Sequence, residues 1–241
     1  MSIAQLNLID SVRRGPSFVE SEFRKLTLEK GQPSPRPDDL VEIAKTAGLV
    51  KKEAFLRPFI VGFFYSLSGF GSDNDLEKEK FLNNALQSYE RFLHNPEGAL
   101  PDWLYYAQWQ LAEIRGLLGR PWNTVEEQCL KAAEWDPMRA EALRHILLYR
   151  FQREQWRIAH IYSSFCTNQF QGKCPTQRSW FINPAFYNWK ILKYHIPILL
   201  AIRKKDEAAI KLAELLDILK ANPEKFSEKD HLDIENLKNM I

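Results

Sequence analysis

With 241 residues the chain can form one large domain or two small ones, and 45% apolar with 12% aromatic residues is the profile of a packed globular protein. Seven Trp, eight Tyr and fifteen Phe exclude general disorder, because so much aromatic surface must be buried, and ten Gly with thirteen Pro exclude collagen-like and linker-like chains. The net charge of +2 is unevenly spread: residues 139–205 carry twelve Lys and Arg against only Glu141 and Glu154, whereas residues 55–138 carry seven cations against twelve anions. Such a basic block either neutralises its acidic flanks within one fold or attracts an acidic partner over a Debye length.

Other classes fall away on simple grounds. Cys129, Cys166 and Cys174 cannot all pair within one chain and show no CxxC spacing, so neither a disulfide framework nor a zinc site is expected. Asp10 and Arg13-Arg14 follow the first apolar stretch, the reverse of a signal peptide's charge order. The longest apolar runs, Phe59 to Tyr65 and Ile196 to Ile202, are too short to span a bilayer. A cytoplasmic location is the resulting expectation.

In chain order, strand signals are weak and helical ones recur. Ser17 to Lys30 reads as a helix with Phe18, Phe23 and Leu26 on one stripe, followed by a stiff connector over 32–37 in which each Pro fixes φ. Asp38-Asp39 cap a short helix that ends at Gly48, and residues 1–54 read as an N-terminal helical segment or cap. An apolar segment, Phe55 to Phe70, precedes a loop from Gly69 to Asp75 and a helix with Phe81, Leu82, Ala85, Tyr89 and Phe92 at helical spacing. Helices are then expected over 102–118, 124–135, 139–153 and 157–166, with turns at Gly119-Arg-Pro-Trp122 and Gln155-Trp156. Beyond an insertion at 168–183, Ala185 to Arg203 and Glu207 to Leu219 form a further pair, with a kink expected at Pro197. Ser227 and Asp230 open a final capping helix carrying Leu232, Leu237 and Ile241.

Two of these helix pairs superpose in sequence. Trp122 aligns with Trp156, Val125 with Ala159, Cys129 with Ser163 and Ala132 with Cys166, each 34 residues apart, and Leu111-Ala112 aligns with Ile146-Leu147 at 35. Helix pairs at that period resemble the tetratricopeptide repeat, with Leu111-Ala112, Gly119, Trp122, Val125, Ala132 and Pro137 where it wants Leu-Gly, the turn Gly, a turn aromatic, a small residue, Ala and Pro, although Arg115 and Arg150 stand where a packed Tyr is usual and Ser163 replaces an aromatic. The runs Leu118-Gly-Arg-Pro-Trp, Asp136-Pro-Met-Arg-Ala-Glu-Ala and Phe181 to Leu192 further resemble the helical-repeat region that follows the catalytic domain in some bacterial family 2 glycosyltransferases, over about residues 55–220. The resemblance implies an all-α fold over 55–241: a right-handed α–α superhelix of about four degenerate helix pairs with a C-terminal cap. It implies no catalytic residue, because this chain has no counterpart of the nucleotide-sugar domain.

Candidate chemistry is sparse. Asp73-Asn74-Asp75 has the form of a metal-binding Asp-x-Asp, yet a Gly/Ser loop precedes it where that motif needs a strand, and helix capping suits it better. Gly69-Phe-Gly71 lacks the third Gly and the Lys of a phosphate cradle. A Cys166 or Cys174 nucleophile with His160 or His195 as base is conceivable but not indicated by spacing. No cofactor, metal or enzymatic turnover is expected. Trp122 and Trp156 read as core, as do Phe186, Tyr187 and Trp189. Projected onto the repeat, the first helices line a concave groove with Tyr106, Trp109 and Glu113, then Arg144, Leu148 and Phe151, then Lys190 and Tyr194. Aromatics beside cations suit an extended peptide, through burial, cation–π contact and bidentate Arg pairing, although Trp109 and Phe151 equally suit packing between repeats. The leading expectation is therefore a non-catalytic protein-interaction module. An accessory of a glycosyltransferase system, contacting a glycan or glycosylated protein, is the second. Nucleic-acid binding through residues 139–205, with Trp180 or Trp189 stacking on bases, ranks last because no basic cluster exceeds Arg203-Lys-Lys205.

Overall fold

A computed structural model describes residues 56–175 and 182–241. The helices expected over 17–30 and 38–48, the connector between them, and the runs through Arg178, Trp180 and Phe181 lie outside the described residues. Among the described residues the secondary structure is nine α-helices, short π and 3₁₀ segments and no strand. They form two compact units, one of residues 56–136 and one of residues 137–175 with 182–241.

The first unit consists of α1 (Leu56–Gly71), α2 (Asp75–His94), α3 (Pro101–Leu117) and α4 (Trp122–Trp135), each packed on its neighbour in sequence. α1 is apolar around most of its circumference and buries Phe59, Ile60, Phe63 and Phe64. It runs through Gly71, so the first three residues of the loop expected from Gly69 are helical, and Gly69 is where α2 comes close: a Cβ there would lie 2.6 Å from Leu82 Cδ2. At Gly62, two turns earlier, it would lie 3.1 Å from the Tyr89 ring. α2 starts where capping chemistry places it. The Asn74 side chain accepts from the backbone N–H of Leu76 (3.0 Å) and Glu77 (3.3 Å), so the central residue of Asp73-Asn74-Asp75 is the cap. α3 begins with Pro101 at its first turn, where a missing N–H costs nothing.

The second unit contains α5 (Glu141–Gln152), α6 (Trp156–Phe170), a π segment (Phe186–Lys190) running into α7 (Ile191–Ala201), α8 (Lys205–Ala221), a 3₁₀ turn (Pro223–Lys225) and α9 (Glu228–Met240). α5 packs on α6, α6 on α7, α7 on α8, and α9 on α7. α6 runs to Phe170, four residues past its expected end, because Thr167 and Phe170 are buried. α7 continues through Pro197, and the departure from α geometry is the π segment before it. α9 opens with a capping box in which Ser227 and Asp230 bond reciprocally. Its buried face is Ile234 and Leu237; Leu232 and Ile241, expected there, are exposed, since the capping box fixes a register that turns them to solvent.

The turns inside three helix pairs share one geometry. After α3, Arg120 N–H donates to Arg115 O (2.9 Å) and Gly119 N–H to Gly116 O (3.1 Å), with Gly119 at φ +65°. After α5, Gln155 N–H donates to Arg150 O and Glu154 N–H to Phe151 O, with Glu154 at φ +55°. After α7, Lys204 N–H donates to Leu199 O and Arg203 N–H to Leu200 O, with Arg203 at φ +65°. Each is a Schellman ending with a left-handed residue. Burial repeats as well: Val125 and Ala159, Cys129 and Ser163, Ala132 and Cys166, Leu111 and Ile146, and Ala112 and Leu147 are all buried. Trp122 and Trp156 depart from expectation, being only half-buried at the first position of their helices, where the Trp122 indole N–H donates to Glu126 one turn on and the Trp156 ring packs edgewise on Phe151.

Candidate functional site

The residues expected to line a groove are distributed over both units. In the first, Tyr106 is only 3% exposed and its ring packs against Phe59, Phe63 and Tyr89. It is a core residue, which corrects its assignment to an open surface: α1 covers the face of α3 that carries it. Trp109 is half-buried, stacked edgewise on Tyr106 at 5.9 Å, and its indole N–H donates to Glu113 at 3.1 Å. Trp109 and Glu113 thus satisfy one another.

The second unit gathers its five differently. Arg144, Leu148 and Phe151 recur at helical spacing along α5, and Lys190 and Tyr194 lie one turn apart on the π segment and α7. The Phe151 and Tyr194 rings meet edge to face at 5.9 Å, and Trp156 also meets Phe151 edge to face, at 5.5 Å. The Arg144 guanidinium lies 5.8 Å from the Phe186 ring centre, and the Lys190 ammonium lies 5.2 Å from that of Trp189. All five are half-buried. Neither Arg144 nor Lys190 has a carboxylate partner among the described residues, and Arg144 Nε is enclosed without a hydrogen bond. An exposed cation without an acid is ordinary; one whose Nε is already desolvated gains from a carboxylate.

Three other cations of the basic block have acid partners within the fold. Arg139 is fully buried and pairs with Glu141 at 3.3 Å, Lys193 bridges Asp230 (3.0 Å) and Asp233 (2.5 Å), and Lys204 pairs with Glu207 (3.0 Å). Lys193 and Lys204 thus pair with acids of the flank that follows the block, as the neutralising reading has it, whereas Arg139 pairs with an acid inside the block. The Glu141 carboxylate also accepts from Tyr187 O–H at 3.0 Å, and the same phenol oxygen accepts from Ala140 N–H at 2.8 Å. Burial beside Glu141 drives the Tyr187 phenol far above its ordinary range.

A serine, a histidine and a glutamate do converge. His195 Nδ1 lies 2.8 Å from Ser163 Oγ, and His195 Nε2 lies 4.0 Å from Glu207. Ser163 is fully buried, and its hydroxyl donates to the His160 carbonyl. Enclosed in this way, the pair holds α6 to α7. Burial pushes His195 down to about 4, with the stacked His160 ring adding to the effect. Burial pushes the Cys166 thiol up to about 12 and raises Cys129, and partial burial beside Glu141 raises Cys174.

Sequence spacing missed the Arg139–Glu141–Tyr187 network, since Tyr187 lies 46 residues from Glu141. The two charges, spaced i and i+2, carry no signal that separates them from a solvated pair. No helix among the described residues is long and apolar enough to cross a membrane. No protein-family model matches the chain, and no characterised protein matches it in sequence.

Proposed function

We propose that the protein is a non-catalytic interaction module built of tetratricopeptide-like helix pairs, and that the α5–α7 face holds an acidic, apolar-bearing segment of a partner protein. The observation that carries this reading is the half-buried Phe151–Tyr194 ring pair, accompanied by two cations, Arg144 and Lys190, that have no carboxylate partner among the described residues. Rings that already pack on each other lose little freedom on binding, and they offer a firm apolar surface to a Leu or Phe of the partner. Arg144 presents a planar donor set for a carboxylate beside them. The shared Schellman turns and the matching burial of α3–α4 and α5–α6 support a repeated unit, as a superhelix of helix pairs requires.

The test uses a fluorescent peptide of alternating Glu, Leu, Asp and Phe. It should bind the full chain with an affinity that falls as salt rises, because the attraction is partly ionic. Arg144→Glu with Lys190→Glu should weaken binding by about tenfold or more while leaving the circular-dichroism spectrum unchanged. Equal binding by the variant removes this face from the reading.

A further inference from the structure

On the second unit, we infer that a cleft between the end of α6, the π segment and the end of α8 binds a short acidic oligosaccharide. This goes beyond partner docking, because the cleft uses different residues from the α5–α7 face. Its volume, about 550 Å³, is in the range of small-ligand sites.

The lining is unusual in chemistry. Four carboxamides converge there, from Asn168, Gln171, Asn188 and Asn222, with the hydroxyl residue Thr167 beside them. Each carboxamide offers two donors and an acceptor, which matches sugar hydroxyls that both donate and accept. Two of the four are partly engaged: Gln171 donates to Glu214 at 3.4 Å, and Asn222 Oδ1 accepts from Lys225 at 2.7 Å. The side chains of Asn168 and Asn188 make no hydrogen bond among the described residues, so both are available to a ligand. Trp189 and Phe226, both buried and tilted against each other with centroids 4.4 Å apart, form the closed apolar back of the cleft behind these polar groups.

Charge selects within that class. Lys211 also faces the cleft, but Glu214 holds it through both carboxylate oxygens at 2.9 and 3.0 Å. Lys225 has no carboxylate partner among the described residues, and its ammonium donates to Asn222 Oδ1, which places a cation at the cleft that favours a sugar carboxylate. The backbone is shaped for the purpose. Asn188 and Trp189 both lie on the π segment, a geometry that regular helices avoid and that recurs at functional sites. Gly172, at φ +73°, donates its N–H to Tyr187 O at 2.8 Å and so fixes the cleft's edge to that segment.

A peptide would need regular, extended contacts, whereas this lining is compact and comes from four separate elements, α6, the π segment, α8 and the 3₁₀ turn. The test titrates the full chain, by calorimetry and saturation-transfer NMR, with a glucuronate-containing disaccharide, maltotriose, citrate and a Glu-rich peptide. The disaccharide should bind with a dissociation constant of about 1 mM or tighter. Asn168→Ala with Asn188→Ala should weaken it about tenfold, and Lys225→Gln should abolish its preference over maltotriose, both with melting temperatures near wild type. No saccharide signal at about 10 mM, an unaffected double-Asn variant, or equal binding of citrate or the peptide would overturn the assignment.

Discussion

In the unit of residues 56–136 the interior is a set of rings, Phe59, Tyr89, Phe92 and Tyr106, with centroids 5.2–6.4 Å apart, and its buried polar side chains are neutral Ser and Gln, among them the bonded pair Gln108 and Gln128. The unit that starts at Pro137 buries Arg139, Glu141 and His195 instead. The same helix-pair scheme therefore has a core held mainly by apolar burial in one place and one dependent on matched polar partners in the other. Apolar burial degrades gradually as atoms are removed, whereas a buried charge that loses its partner fails abruptly. Arg139→Met should accordingly have the largest effect, about 3–5 kcal/mol of destabilisation, because Glu141 would be left buried without its cation. Arg139→Met with Glu141→Leu should recover most of that loss in urea unfolding. If the double variant is no better than the single, the network contributes through shape and not through charge matching.

Acid should separate the units next. His195 is held neutral in the fold, with its pKa lowered to about 4, whereas an unfolded histidine titrates near 6.5. The folded-state pKa is depressed for a base, so the unfolded chain binds the extra proton first. Stability is then lost as pH falls through 6.5 and levels off below about 4, for a total of about 3 kcal/mol. Hydrogen exchange between pH 7 and 4 should show amides of α6 and α7 losing protection before those of α1 and α2. In His195→Gln that difference should shrink, because nothing at the position titrates.

A steric perturbation probes the aromatic unit. Gly69→Ala gains about 1 kcal/mol of helix propensity, but its Cβ would meet Leu82 Cδ2 at 2.6 Å and Cγ at 2.8 Å. Leu82 is buried, with no room to retreat, so overpacking of about 1–3 kcal/mol should win and leave a net loss of about 1 kcal/mol. An unchanged or raised melting temperature would mean that α1 and α2 shift apart cheaply, and the aromatic core would be looser than its ring contacts imply.

How legible this was in the sequence follows from the range of each interaction. Helix periodicity and the 34-residue offset between Trp122 and Trp156 are local patterns, and the helices appear where they indicate, with ends off by up to four residues where burial of Phe170 decides the boundary. The capping box at Ser227 was legible for the same reason, since its partners are three residues apart. Exposure was less legible. Tyr106 and Trp109 are three residues apart on α3, yet one is buried and the other half-buried, because α1, which no repeat register specifies, covers one side. The carboxamide cleft was not legible at all, since its residues are spread from Thr167 to Phe226 and no spacing rule joins them.

The smallest expected effect compares the units through their turns. Gly119 ends α3 with φ +65° at no steric cost, while Glu154 and Arg203 hold the same left-handed conformation with a Cβ. For residues with side chains that region costs about 1 kcal/mol, so Glu154→Gly and Arg203→Gly should each stabilise the second unit by about 0.5–1 kcal/mol, less the entropy a glycine adds to the unfolded chain. Gly119→Ala should destabilise the first unit by a similar amount, even though nothing lies within 4 Å of its Cβ position. The opposite signs isolate backbone conformation from contacts, because neither change removes a packed core atom. If Glu154→Gly were neutral while Gly119→Ala was costly, the glutamate side chain would be contributing an interaction that offsets its strain, and the two turns would be alike in geometry alone.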